Sequence, residues 1–157
     1  SLMANVIKVA STAEFEVKKE AIWTLSNICT TGSDEHVRAL VPMQGLEPLS
    51  DILGLNYSDE AILNAALDAV ERVLDVGERY KLDHVKIFDE CNGIDNLEGL
   101  QEHPSHSVYQ KTVDIIERYF GEDEQDDENI APETTESGTF SFGIQKQLFP
   151  ADQQNIL

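Results

Sequence analysis

Apolar residues in this chain recur at intervals of three and four, the period of helices that bury one face. Residues 14–29 read as such a helix, with Ala21, Ile22, Leu25, Ile28 and Cys29 on one broad stripe. At about 100° per residue, Trp23 projects from the opposite side. Its neighbours there are Glu16, Glu20 and Asn27, at helical spacings of seven, three and four. Two readings stand. The tryptophan is covered by a neighbouring element, or it offers its ring face to a cation. In the second case the carboxylates attract the same charge, and the amide hydrogen-bonds in both directions.

The pattern also repeats along the chain. Residues 61–74 align with 107–120 at an offset of 46, placing Asp68, Glu71 and Arg72 over Asp114, Glu117 and Arg118. The helix of Trp23 aligns with 61–74 at an offset of 44, placing Trp23 over Leu67 and Asn27 over Glu71. His36, Val37 and Arg38 match His84, Val85 and Lys86 at an offset of 48. Gln44, Gly45 and Leu46 match Asn92, Gly93 and Ile94, and Leu49 matches Leu97. Each unit then holds a short helix, a sharp turn at Gly45 or Gly93, a second helix, a short loop and a longer third helix. Ser11 with Thr12, Ser58 with Asp59, and Ser105 suit the N-caps of the third helices. A three-helix period in the mid-forties predicts an all-α fold, an armadillo-repeat solenoid with a right-handed superhelical twist.

The expected organisation is armadillo repeats over residues 1–120: a partial first unit at 1–31, then full units at about 32–76 and 77–120. Residues 2–10 take the second-helix place, with no first helix to cover Val6, Ile7 and Val9. That predicts the C-terminal part of a longer array, or a truncated paralogue. After Phe120 an acidic run opens at Gly121, and residues 121–157 lose the apolar period. They are expected to be a disordered acidic tail, either solvating or ordering on a partner.

The formal net charge is -19 and the pI about 4.3. This argues against nucleic acid and against anionic membranes, and makes a basic peptide or protein surface the natural complement. Cys29 and Cys91 lack metal or redox spacing and read as small buried hydrophobes in a reducing compartment. His36 and His84 read as structural, and no metal is expected. There is no glycine-rich phosphate loop and no nucleophile–base arrangement, so neither enzyme activity nor a cofactor is expected. No apolar run is long enough to span a bilayer, and residues 1–5 do not read as a signal peptide.

The stretch EFEVKKEAIWTLSN at residues 14–27 closely resembles the importin-alpha, or karyopherin-alpha, family. The resemblance continues at 45–53, 108–111, 116–120 and 132–135, and covers residues 1 to about 143. It implies an adaptor that binds basic nuclear localisation signals on cargo proteins, along a concave groove lined by third helices. It implies cytoplasmic and nuclear localisation. Trp23 and Asn27 then belong to the smaller signal-binding site, with Glu20 as an acidic member. In the family the tryptophan sandwiches Lys or Arg stems and the asparagine holds the peptide backbone. The later units depart from this pattern, with Leu67 and Glu71, then Val113 and Glu117. Upstream repeats, and the basic segment by which the family engages importin-beta, are absent from this sequence, so weak signal binding is expected.

The last unit and the acidic run match the part of the family used by the recycling export factor of the importin-beta family and by a nucleoporin, so the resemblance implies a second surface. Its acidic element is Glu122, Asp123, Glu124, Asp126, Asp127 and Glu128. Residues 140–143, FSFG, read as a family tail or as a nucleoporin-like motif. A nuclear-import adaptor is the function expected first. The alternatives are a truncated paralogue that binds export factor or nucleoporin without cargo, and an armadillo scaffold with other partners.

Overall fold

Helices form where the apolar period predicts them. In chain order they are α1 (Leu2–Thr12), α2 (Phe15–Thr31), α3 (Asp34–Leu40), α4 (Leu46–Leu53), α5 (Glu60–Arg79), α6 (His84–Glu90), α7 (Gly93–Leu100) and α8 (His106–Tyr119). The computed structural model describes residues 1–55 and 59–121, and every regular element among them is helical. Ser1–Tyr119 forms one compact unit; of the second, Phe120–Leu157, only Phe120 and Gly121 are described. The acidic residues Glu122 to Glu128, the motif at 140–143 and the capping role of Ser58 lie outside the described residues.

Third helices pack side by side, α2 on α5 and α5 on α8, while α4 lies against α1 and α7. α5 sits at the centre and buries Leu63, Leu67, Val70, Val73 and Leu74 completely. Helix pairs of this kind cannot bury an apolar face alone, so stacking makes one continuous core.

The turns work differently from expectation. Gly45 has an ordinary helical φ of -73°, and no described glycine has positive φ. The left-handed residues are the preceding Gln44 (φ 66°) and Asn92 (φ 64°). What the glycines supply is space. A Cβ on Gly45 would overlap Leu40, and one on Gly93 would overlap the Phe88 ring. Leu40 and Phe88 are themselves matched at the 48-residue offset, so the glycine repeat is a packing repeat.

Two of the expected caps are present. The Asp59 carboxylate accepts from the Ile62 amide at 2.9 Å, and Ser105 Oγ from the Val108 amide at 3.4 Å. Ser11 and Thr12 do not cap α2. They close α1, where their hydroxyls donate back to the carbonyls of Ile7 and Lys8 at 3.0 and 2.9 Å. α2 starts after Glu14, whose side chain makes no capping bond.

Burial departs from expectation at four places. Ile7 is buried against α2, so the open edge is made by Leu2, Val9 and Val17. Ile28 is only half-buried. Cys91 is half-buried at the end of α6, unlike the fully buried Cys29. His84 is buried and its Nδ1–H donates to the Val73 carbonyl at 2.8 Å, whereas the matching His36 is exposed beside Ser33.

Candidate functional site

α2 is amphipathic in the sense that matters for a site. Ala21, Ile22, Leu25 and Cys29 turn inward, and Glu20, Trp23 and Asn27 turn out. Ser26 sits beside this outer face and is buried: its hydroxyl donates to the Ala65 carbonyl of α5 at 2.9 Å. That bond fixes the rotation of α2 against α5, and so fixes where Trp23 points. Ser26 was not singled out in the sequence, because a serine within an apolar stripe carries no signal of its own.

Trp23 is 41% exposed, so no neighbouring helix covers it fully. Among the described residues, the Asn27 side-chain amide and the Glu20 carboxylate form no hydrogen bond or ion pair. The carbonyls behind them are occupied, Glu20 by Thr24 Oγ1 at 3.0 Å and Asn27 by Thr31 Oγ1 at 2.7 Å. An indole face, a free amide and a free carboxylate thus share one helix face. Glu20 also stands at the edge of a hollow of about 250 Å³ between α1 and α2, whose walls include Val6, Val9 and Val17. Glu16 does not join them. Its carboxylate takes Lys19 at 3.3 Å, and that ammonium lies over the Phe15 ring at 5.1 Å.

This arrangement occurs once among the described third helices. Leu67, aligned with Trp23, is fully buried, and Val113 is half-buried. The acidic groups of α5 are mostly taken by the next unit. Asp68 binds Lys111 at 2.7 Å. Glu60 accepts from Ser105 and Ser107 at 2.7 and 2.9 Å, bonds that hold its carboxyl below the usual range. Asn64 donates to Ser107 at 3.0 Å, leaving its buried Oδ1 without a partner. Glu71 remains exposed and unpaired among the described residues.

The repeated arginines explain part of the sequence repeat. Arg72 reaches back to the Gly32 carbonyl and to Asp34, both at 3.0 Å. Arg118 likewise reaches back to Asp75 and Glu78 on α5, at 3.0 and 2.9 Å. Arg79 binds Asp34 at 2.9 Å and Asp75 at 3.0 Å, and the Tyr80 hydroxyl donates to Asp34 at 2.9 Å. The Arg79 bond, then the Tyr80 bond, pull the Asp34 carboxyl down to about 2. These cations are committed within the fold. No group of acidic, His or Cys side chains among the described residues is arranged to hold a metal.

A family model described as the atypical Arm repeat matches residues 83–133. Importin subunit alpha-5 of Arabidopsis thaliana is 32% identical over 124 residues, 76% of this chain and 24% of that protein. Importin subunit alpha-1b of Oryza sativa subsp. japonica is 31% identical over 163 residues, 99% of this chain and 30% of that protein. The importin subunit alpha of Saccharomyces cerevisiae is 32% identical over 115 residues, 68% of this chain and 21% of that protein. The chain therefore spans less than a third of the length of these relatives. Among solved structures, a designed armadillo repeat protein in complex with peptide (KR)4 aligns at a TM-score of 0.57 and 23% identity, covering 71% of this chain and 44% of that one. A second designed armadillo repeat protein aligns at 0.60 and 23%, covering 73% and 45%. The described fold is an all-α armadillo solenoid.

Proposed function

Because the chain belongs to the importin-alpha family, we propose that it serves a nuclear-import adaptor, and that its α2 face binds the basic nuclear localisation signals of cargo proteins. The observation that carries this reading is the set of unpaired groups on one helix face: Trp23, 41% exposed, with Asn27 and Glu20 beside it. The stem of a Lys or Arg packs on the indole, and its head reaches Glu20. The Asn27 amide donates to a peptide carbonyl and accepts from a peptide N–H. Glu71, unpaired on the adjacent third helix, adds to the negative field that draws such a peptide in. Each contact is worth roughly 0.5–2 kcal/mol. Three such contacts sum to roughly 1.5–6 kcal/mol, low-millimolar binding at the middle of that range, so useful affinity requires further pockets of the same kind.

Passage between cytoplasm and nucleus belongs to this reading, as do importin-beta, the export factor and nucleoporins as partners. Glu122 to Glu128 are the residues proposed for the export factor.

The test follows the Asn27 side-chain NH2 resonances during titration with a lysine-rich localisation peptide. Saturable shifts there and at the Trp23 indole N–H, weakened by Glu20→Gln, support the reading. Unmoved Asn27 and Trp23 signals at millimolar peptide would remove it.

A further inference from the structure

A groove of about 740 Å³ opens between α3 and α6, within the roughly 300–1,000 Å³ typical of binding clefts. Its floor is apolar, made by Val41 and Pro42 after α3, Leu82 before α6, and Ile87 on α6. A second hollow of about 220 Å³ shares Val41 and Ile87 and carries the trough on to Cys91. No residue lining either hollow lies on α2, α5 or α8, so this surface is separate from the Trp23 face.

The borders are acidic. Glu35 and Asp83 line the wider hollow, Glu47 and Glu90 the narrower one. None of these carboxylates has an ionic partner among the described residues. Burial, then Glu47, Asp51 and Glu90, push the Cys91 thiol up, which registers the negative field at the narrow end. The Arg38 guanidinium in the lining stands over the Tyr80 ring at 4.7 Å.

We propose that this groove docks a partner-protein segment that carries an apolar side chain flanked by lysines or arginines. The apolar floor takes the anchor, and the unpaired carboxylates take the flanking charges. Charge complementarity selects this occupant. A phosphate-bearing ligand meets repulsion here, as does a second copy of a chain with net charge -19.

The experiment titrates the full ¹⁵N-labelled chain with acetyl-Lys-Arg-Leu-Ile-Lys-Arg-amide, and separately with a version carrying Ser-Ser at the centre. The Leu-Ile peptide should shift the amides of Val41, Leu82 and Ile87 saturably, and the Ser-Ser peptide should not. Glu35→Lys with Glu90→Lys, both exposed, should weaken binding at the groove about fivefold or more, while in Asn27→Ala the shifts of Val41, Leu82 and Ile87 persist. Equal shifts with both peptides, shifts confined to α2 and lost in Asn27→Ala, or no shifts would each overturn the proposal. A concentration-dependent dimer broken by Ile87→Arg would overturn it in favour of a second copy.

Discussion

Gly45 shows how a single residue sets the local structure. Its backbone is ordinary, and what counts is the close approach of Leu40 over it. Gly45→Ala should therefore destabilise the chain by about 1–3 kcal/mol, read from urea midpoints, because Leu40 must move. Gly99 is the control. It is exposed in α7, and a methyl there would meet nothing within 4 Å, so Gly99→Ala should add about 0.5–1 kcal/mol. The glycine turns were legible in the sequence, but the reason was not, since spacing does not show which side chain lies across the turn. The cysteines teach the same lesson. Burial pushes the Cys29 thiol up to about 12, while Cys91 is half-buried after α6. A thiol reagent at pH 8 should label Cys91 in the folded chain and reach Cys29 only on unfolding. Equal labelling rates would contradict the packing of α2.

The helices themselves were readable from the apolar period, which a third helix packed on both sides keeps along most of its length. Their ends were harder. Ser11 and Thr12 look like caps, yet their hydroxyls bond backward within α1, and Glu14 takes the cap position with extended backbone (ψ 164°) and no capping bond. Glu14→Ser should supply the missing acceptor and raise stability by roughly 0.5–1 kcal/mol in thermal melts. Between elements, Ser26→Ala removes the hydroxyl that ties α2 to the Ala65 carbonyl. It should cost about 1 kcal/mol in the same melts while leaving helix content unchanged.

Across the whole molecule, an ion-pair chain joins the units: Asp34 to Arg79, Arg79 to Asp75, Asp75 to Arg118, and Arg118 to Glu78. The sequence repeat contains Arg72 and Arg118, but their partners lie 38 to 43 residues away and no helical spacing points to them. The Asp34 carboxyl is lowered from 3.8 to about 2, so the folded state favours its charged form. Its contribution is complete above about pH 4 and is lost as pH falls toward 2. Asp34→Asn should lower the urea midpoint at pH 5, with the gap to wild type closing by pH 2. A gap independent of pH would contradict the assignment.

At this scale the outward turn of Trp23 is the feature the sequence disclosed best. Trp23 breaks the apolar stripe of its own helix, and breaking a pattern is visible without a structure. Glu16 is withdrawn by Lys19 at a helical spacing of three, whereas no Lys or Arg stands three or four residues from Glu20.

Trp23 is the only tryptophan in the chain, so its emission reports the proposed site without a label. The most direct measurement is a titration of that emission with a lysine-rich localisation peptide, for wild type and Asn27→Ala, at low and high salt. A saturable change is predicted, weakened about three- to tenfold by Asn27→Ala and further by high salt. An emission spectrum that stays flat to millimolar peptide in a folded chain would contradict signal binding on the α2 face.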